Sequence, residues 1–263
     1  MTTQANIAKA ADLLFAAGRD RKPCAPVREL LDAGDIAAAY AVQEINTTRA
    51  LEAGRRLVGR KIGLTSLVVQ KQLGVDQPDY GMLFADMARG DDEEIPFGDL
   101  IQPKVEAEIA FVLGEDLDDE HLTQADLFHA IDYAVAAIEI VDSRIQNWDI
   151  RITDTIADNA SSGLFVLGTE LKMLGDFDPR LCGMVMEHRG EPVSVGAGAA
   201  CMGNPLNASL WLAKVMAKAG RPLLAGDVIF SGALGPMVAV QPGEVYEVRI
   251  NGLGSVRARF GKE

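Results

Sequence analysis

The sequence predicts an α+β chain, with helices gathered at the N-terminus and strands dominating the rest. Three observations carry this reading. Residues 1–55 space their apolar side chains at helical intervals. A run at 104–113 alternates at strand period. The C-terminal stretch holds several β-rich segments, two of them joined by Asn251-Gly252.

Residues 4–19 place Ile7, Ala11, Leu14 and Ala17 on one face, an amphipathic helix that Pro23 and Pro26 should stop. A second helical pattern runs from Asp35 to Gly54, with Ile36, Ala39, Val42 and Ile45 together. The period then changes. LVGRKIGL (57–64) is short, partly β-branched and closed by Gly63, which reads as a strand. SLVVQKQLG (66–74) reads as a short helix ending at Gly74, and QPDYG (77–81) as a turn punctuated by Pro78 and Gly81. KVEAEIAFVLG (104–114) alternates strictly: Val105, Ala107, Ile109, Phe111 and Leu113 face one way, Glu106, Glu108, Ala110 and Val112 the other. AVAAIEIVD (134–142) is apolar with two acids, and its pattern does not separate strand from helix. Asn204-Pro205 opens a helix whose stripe is Leu206, Leu210, Ala213 and Ala217 and whose end is Gly220. DVIFSG, MVAV, EVYEVRI and LGSVRARF come next as strands, and GAGAA (196–200) is a candidate flexible loop.

Composition narrows the function classes. The 263 residues, 48% of them hydrophobic and 24% charged, suffice for a sizeable core and give ordinary globular composition. With 38 acids against 25 bases the net charge is −13, so the overall field repels nucleic acid. An anionic ligand would need a local cation. No apolar run approaches the ~20 residues of a membrane span, and the N-terminus lacks the pattern of a secretion signal. Cys24, Cys182 and Cys201 form neither a metal pair nor a disulfide framework. A reduced cytoplasm is the expected location.

Glu106 and Glu108 stand two apart on a strand, so both point to one face, roughly 6–7 Å apart at their roots. Taken alone, the pair suits a solvated sheet edge. Glu139 changes the weighing, because it lies inside an apolar run where an ionised acid needs a partner. Three carboxylates without a Cys or His cluster suit a hard cation, Mg2+ or Mn2+ with water completing the shell. His121, His129 and His188 read as surface residues. Lys61 in GRKIGL reads as a buried base or anion clamp, or equally as a solvent-facing strand lysine. DTIADNASSG (154–163) offers Asp154, Asp158, Asn159, Ser161 and Ser162, and a capped turn accounts for such runs. SGALGPM (231–237) reads as a plain loop or as a source of backbone N–H groups for a carboxylate.

GRKIGLTS, GVDQPDYGMLFADM, QPKVEAEIAFVL, AIEIVDSRIQNWD, DTIADNASSG, GNPLNA and SGALGPMVAV together resemble the 2-keto-4-pentenoate hydratase family. That family lies in the hydratase–decarboxylase branch of the fumarylacetoacetate hydrolase superfamily. The similarity runs from about residue 25 to the C-terminus. It implies a mixed β-sandwich roll with flanking helices, a helical cap over 1–55 and a catalytic β-roll over 56–263 forming one compact unit with it. It also implies homo-oligomers and association with other enzymes of aromatic meta-cleavage catabolism. Carried over to this sequence, it implies Glu106, Glu108 and Glu139 as ligands of Mg2+ or Mn2+, Lys61 and Asp79 as catalytic residues, and Leu83, Asn159 and Ser161 on the substrate side.

The activity so implied is addition of water to 2-hydroxypenta-2,4-dienoate, giving 4-hydroxy-2-oxopentanoate. Lys61 is expected to transfer a proton or hold the C2 oxygen, with a lowered pKa, and Asp79 to orient Lys61 or the water. The rival within the branch is decarboxylation of a 2-oxo-hexenedioate, which requires a cation at the far end of the pocket. Arg144 and Arg151 are the arginines to examine for it. A rival of another class is a non-catalytic partner subunit of a hydratase–decarboxylase complex.

Overall fold

The structure, a computed structural model, describes residues 2–67, 70–71 and 75–263. Helix α1 (Gln4–Asp20) starts at Thr3, whose side chain accepts from the Asn6 N–H. It stops short of the prolines expected to end it: Arg21 turns left-handed, at φ 52°, and its N–H returns to the Ala17 carbonyl. Helix α2 (Ile36–Glu52) is capped by Asp35, which accepts from the Ala38 N–H. Of its expected face, Ala39 and Val42 are buried, while Ile36 and Ile45 are half-buried. The deeper positions are Ala38, Gln43, Thr47 and Ala50, because α2 is covered on more than one side. Ile7, Leu14, Val27 and Val42 share an apolar cluster with Ile145 and Ile156 from much later in the chain.

The strands are β1 (Leu57–Gly63), β2 (Asp79–Phe84), β3 (Ala88–Arg89), β4 (Glu94–Ile95), β5 (Pro103–Leu113), β6 (Ile131–Asp142), β7 (Ser162–Leu167), β8 (Gly183–His188), β9 (Glu191–Ala197), β10 (Val228–Phe230), β11 (Val238–Ala239), β12 (Val245–Ile250) and β13 (Gly254–Phe260). Helices α3 (Gln124–Ala130), α4 (Ile152–Ala157) and α5 (Pro205–Lys218) lie between them. One mixed sheet runs β2-β1-β10-β5-β6-β7-β3, with β11 on β5; the other runs β4-β13-β12-β8-β9. The second sheet packs on β6 and β7. Met186, Val248, Val256 and Phe260 join Ile138 and Ile140 in the core between the sheets.

The first sheet is rolled. Lys61 on β1 and Glu139 on β6 are three strand intervals apart, about 14 Å in a flat sheet, yet their charged atoms are 3.1 Å apart. Phe165 of β7 and Phe230 of β10 likewise meet inside, with ring centroids 5.4 Å apart. Edge strand β2 thus comes round to the start of β7. A Cβ on Gly81 would run into the Asn159 carbonyl and the Ser162 hydroxyl, so only glycine permits the approach. The Asn159 side chain completes the seam. Its Oδ1 accepts from the Met82 N–H (2.7 Å) and its Nδ2 donates to the Met82 carbonyl (2.9 Å), as a paired strand residue would.

Several sequence expectations change accordingly. QPDYG is not a turn: Asp79, Tyr80 and Gly81 are strand residues paired with β1, and Gly81 serves close approach instead of reversal. The ambiguous 134–142 run is strand β6, paired with β5 along its length. In α5 the Asn204 cap and Pro205 stand as expected, but the buried row is Leu206, Leu212, Ala213 and Met216, with Leu210 and Ala217 only half-buried. Packing against both α3 and β1 widens and rotates that stripe. GAGAA is ordered. Gly196 and Ala197 end β9 and Gly198–Ala200 form a 3-10 turn, with the Ala197 and Gly198 N–H groups bonded to Leu234 and Cys182 carbonyls. The hairpin at Asn251-Gly252 forms between β12 and β13. The short helix expected over 66–74 falls largely outside the described residues. Among the described residues no helix is long and apolar enough to cross a membrane.

Candidate active site

The concave face of the rolled sheet gathers the acids. Glu106 and Glu108 share one face of β5 by strand alternation, and the antiparallel register sets Glu139 of β6 directly opposite Glu106. One carboxylate oxygen from each of the three lies within 4.8 Å of the others. Glu108 and Glu139 are sealed from solvent, while Glu106 is partly open. Glu108 accepts from the Gly232 N–H at 2.7 Å, so the SGALGPM loop gives an N–H to the chain's own carboxylate. Glu108 Oε1 and both Glu139 oxygens lack an aligned hydrogen bond.

Burial, then the charge of Glu139, pushes Glu106 up to about 7. Glu108 is also raised well above the usual carboxylate range, by burial first and then by Glu139 and Glu106. Glu139 is also raised by burial, although Lys61 pulls the other way. Three hard oxygen donors, no thiolate or imidazole among them, and buried carboxylate oxygens without an aligned hydrogen bond fit a divalent cation of the Mg2+ or Mn2+ type.

Lys61 enters from β1, buried, with Nζ 3.1 Å from Glu139 Oε1 and donating to the Ala160 carbonyl at 3.0 Å. Burial disfavours its charge. The surrounding acids, Glu139 first and then Asp79, Glu106 and Glu108, outweigh that and hold the ammonium above the ordinary lysine range. Desolvation, which acts in the expected direction, is outweighed because one cation stands among four carboxyls. Asp79 sits across from Gly63 in the β1–β2 register, and its carboxylate fills the space a side chain at 63 would take, beside Lys61 Nζ. Burial raises the Asp79 carboxyl, with Lys61 and Thr155 opposing. Leu83 lies on the same face of β2, two residues beyond Gly81, and is fully buried.

Asn159, Ala160 and Ser161 are three consecutive left-handed residues, with φ of 54°, 50° and 54°. Each costs roughly 1–2 kcal/mol in an L-residue, and such strain gathers at functional sites. The turn aims the Ala160 carbonyl at Lys61. Ser161 Oγ is buried beside it without a partner. Asn159, expected on the substrate side, has its amide taken up by Met82 instead.

Gln43, missed in the sequence, and Asp158, read there only as part of a capped turn, brace this arrangement. Gln43 of α2 donates to the Tyr80 and Ile156 carbonyls, both at 2.9 Å, tying the helical layer to β2 and α4. Asp158 holds Arg144 through its carboxylate and its carbonyl, and Arg144 also donates to the Asp142 and Ser162 carbonyls. Arg144 is thus fully engaged inside the fold, and Arg151 is exposed. His121 and His129 are on the surface, but His188 is half-buried in β8 with Nδ1 3.0 Å from the Val245 carbonyl. A cavity of about 550 Å³ lies elsewhere, between α1, α2 and the outer side of the seam.

This fold and site have known counterparts. Residues 57–261 match the family described as fumarylacetoacetate (FAA) hydrolase C-terminal. The chain belongs to the fumarylacetoacetate hydrolase family. It is 70% identical to the TodF product hydratase of Pseudomonas putida strain F1, over 97% of this chain and 96% of that one. It is 62% identical to 2-keto-4-pentenoate hydratase 2 of Dechloromonas aromatica strain RCB, over 95% and 96%. Among solved structures, 4-oxalocrotonate decarboxylase from Pseudomonas putida G7, complexed with magnesium and adipate, superposes with a TM-score of 0.94 at 36% identity, covering 99% of both chains.

Proposed function

We propose that this chain is a divalent-metal-dependent hydratase that adds water to 2-hydroxypenta-2,4-dienoate, giving 4-hydroxy-2-oxopentanoate. The observation that carries this is the trio Glu106, Glu108 and Glu139, two of them sealed and one partly open, with Lys61 set against it. The hydratases at 62% and 70% identity support the reaction class. The three glutamates would hold Mg2+ or Mn2+, which when bound supplies positive charge for the substrate's carboxylate and C2 oxygen.

The chain's own groups supply the proton handling. Ketonisation moves the C2 hydroxyl proton to C5, and Lys61 Nζ, held by the Ala160 carbonyl, would carry that transfer by giving a proton to C5 and taking one from the C2 hydroxyl. Water then adds at C4 while C3 gains a proton. Asp79, raised by burial and beside Lys61, accepts the proton from water and returns one to C3. Ser161 Oγ is an unpartnered donor for the substrate, and Leu83 supplies apolar wall. Asn159 acts indirectly, by holding the seam.

The decarboxylase reading calls for a cation at the distal end; of the two arginines considered for it, Arg144 is engaged by Asp158 inside the fold and Arg151 is exposed. The complete set of acids with Lys61 argues against a non-catalytic subunit. The same reading takes the working form to be a cytoplasmic homo-oligomer acting beside other meta-cleavage enzymes. The test is kinetic: purified protein with Mg2+ or Mn2+ and freshly generated dienol, following loss of diene absorbance with and without chelator, and CO2 release from 2-oxo-3-hexenedioate. Chelator-insensitive hydration, or CO2 release faster than hydration, overturns it.

A further inference from the structure

We propose that Lys104, held over the ring of Trp148, is the residue that takes the charge of the substrate's carboxylate at the mouth of the site. The inference rests on the hydratase reading above and extends its substrate contacts. Strand alternation puts Lys104 on the same face of β5 as Glu106 and Glu108. Along that face burial falls in order: Glu108 is sealed, Glu106 and Lys104 are partly open. The N-terminal end of β5 is therefore where solvent, and a ligand, reach the trio.

Lys104 is poised at that end. Its ammonium sits 4.1 Å from the centroid of the Trp148 ring, within cation–π range. Among the described residues no carboxylate lies within ion-pair distance of it, whereas Lys61 is paired with Glu139 and Arg144 with Asp158. The platform beneath it is built. Trp148 donates its indole N–H to the Gln102 carbonyl at 2.9 Å. Gln102 in turn donates to the Ser143 and Ile145 carbonyls. Asn147 and Trp148 are both left-handed, at φ 58° and 54°, a conformation that non-glycine residues hold only under constraint.

Charge supplies the reason for such a cation. Four carboxyls surround one ammonium inside the roll. A bound divalent ion still leaves an excess of negative charge when all four are ionised, and the whole chain carries −13. A carboxylate ligand entering this field meets a net repulsion that a cation without an acid partner reduces. Lys104 answers that description. An aromatic face orients the ammonium without neutralising it, which a carboxylate partner would do.

The test uses the full chain loaded with Mn2+, with oxalate as a non-reacting ligand. K104Q should weaken oxalate binding, read by calorimetry, about tenfold or more, the loss of one charge-assisted contact. It should raise KM for 2-hydroxypenta-2,4-dienoate in parallel, leave kcat within about threefold, and flatten the salt dependence of kcat/KM. K104R should restore most of the affinity, and W148L should give a smaller loss. Mn2+ affinity, read by electron paramagnetic resonance, should stay within about twofold throughout. Unchanged oxalate affinity in K104Q overturns the proposal, and so does a fall in Mn2+ affinity of the same size. If the wild-type protein hydrates no dienoate while K104Q still loses oxalate, the hydratase reading fails and the role of Lys104 stands.

Discussion

Arg60 and Lys61 are consecutive residues of β1, equally buried at 2% and 3% exposure, and they have opposite fates. Lys61 points into the roll, where Glu139 is 3.1 Å away and Asp79, Glu106 and Glu108 add their charge. Arg60 points outward beneath the helices. Among the described residues its carboxylate neighbour is Asp227, 3.7 Å off, it also donates to the Gly59 carbonyl, and its Nε has no partner. Burial depth does not distinguish the two cations. The partner set does: a working cation is over-supplied with acids that share it, and a structural one is under-supplied and settles for backbone.

The sharpest way to break this comparison is to remove the inward set. Lys61→Ala and Glu106→Gln should each lower turnover at least about 10³-fold, near the upper range for lost acid–base or electrostatic groups. Circular dichroism should show the fold retained. Chelation of the metal should do the same to the wild type and be reversed by added Mn2+. A folded Lys61→Ala protein with near-normal turnover would leave Lys61 no more functional than Arg60.

The next effect tests how the inward set is held. Asn159→Asp keeps the acceptor for the Met82 N–H but loses the donor to the Met82 carbonyl. The left-handed turn then slackens, and with it the Ala160 carbonyl that fixes Lys61. We expect kcat to fall about tenfold, the size of one lost buried hydrogen bond, with KM and Mn2+ affinity nearly unchanged. A rise in KM alone would mean that Asn159 touches substrate, as the family resemblance implies.

How much of this was legible in the sequence depends on range. Glu106 and Glu108 sharing a face needs only the strand period. That Glu139 stands opposite Glu106 needs the β5–β6 register, and that Lys61 reaches Glu139 needs the roll of the sheet; neither is written in local pattern. QPDYG misled because Gly81 looks like a turn residue when its role is close approach to Asn159. Gln43 was invisible, since a glutamine among helical alanines and isoleucines signals nothing until its carbonyl partners on β2 and α4 are known. The resemblance to the hydratase family supplied the roll and the site together, because it encodes those long-range pairings.

The acids around Lys61 also set a pH dependence. Without metal, Glu106 is raised to about 7 by burial first and Glu139 second. A raised carboxyl holds a proton where the cation must bind, so protons compete increasingly as pH falls through about 7. Apparent Mn2+ affinity should drop about tenfold per unit below that point for each proton displaced, and flatten above it as far as Glu106 is concerned. Metal titrations at pH 6, 7 and 8 with proton release followed in weak buffer check the sign. Affinity independent of pH would place the metal on other ligands.

The smallest expected effect lies on the outward face. Arg60→Met removes a buried guanidinium that has one distant carboxylate and an unpartnered Nε, and replaces it with an apolar chain of similar length. Replacing poorly paired buried charge by apolar packing is commonly neutral or stabilising, and Asp227 keeps some access to solvent. Stability should change by about 0 to +2 kcal/mol in denaturant unfolding, and kcat/KM should stay within about threefold of wild type. A loss of activity approaching that of Lys61→Ala would show that the two faces of β1 are coupled. A loss of stability without loss of activity would instead assign Arg60 to anchoring β1 beneath the helices, and the contrast in function between the two cations would stand.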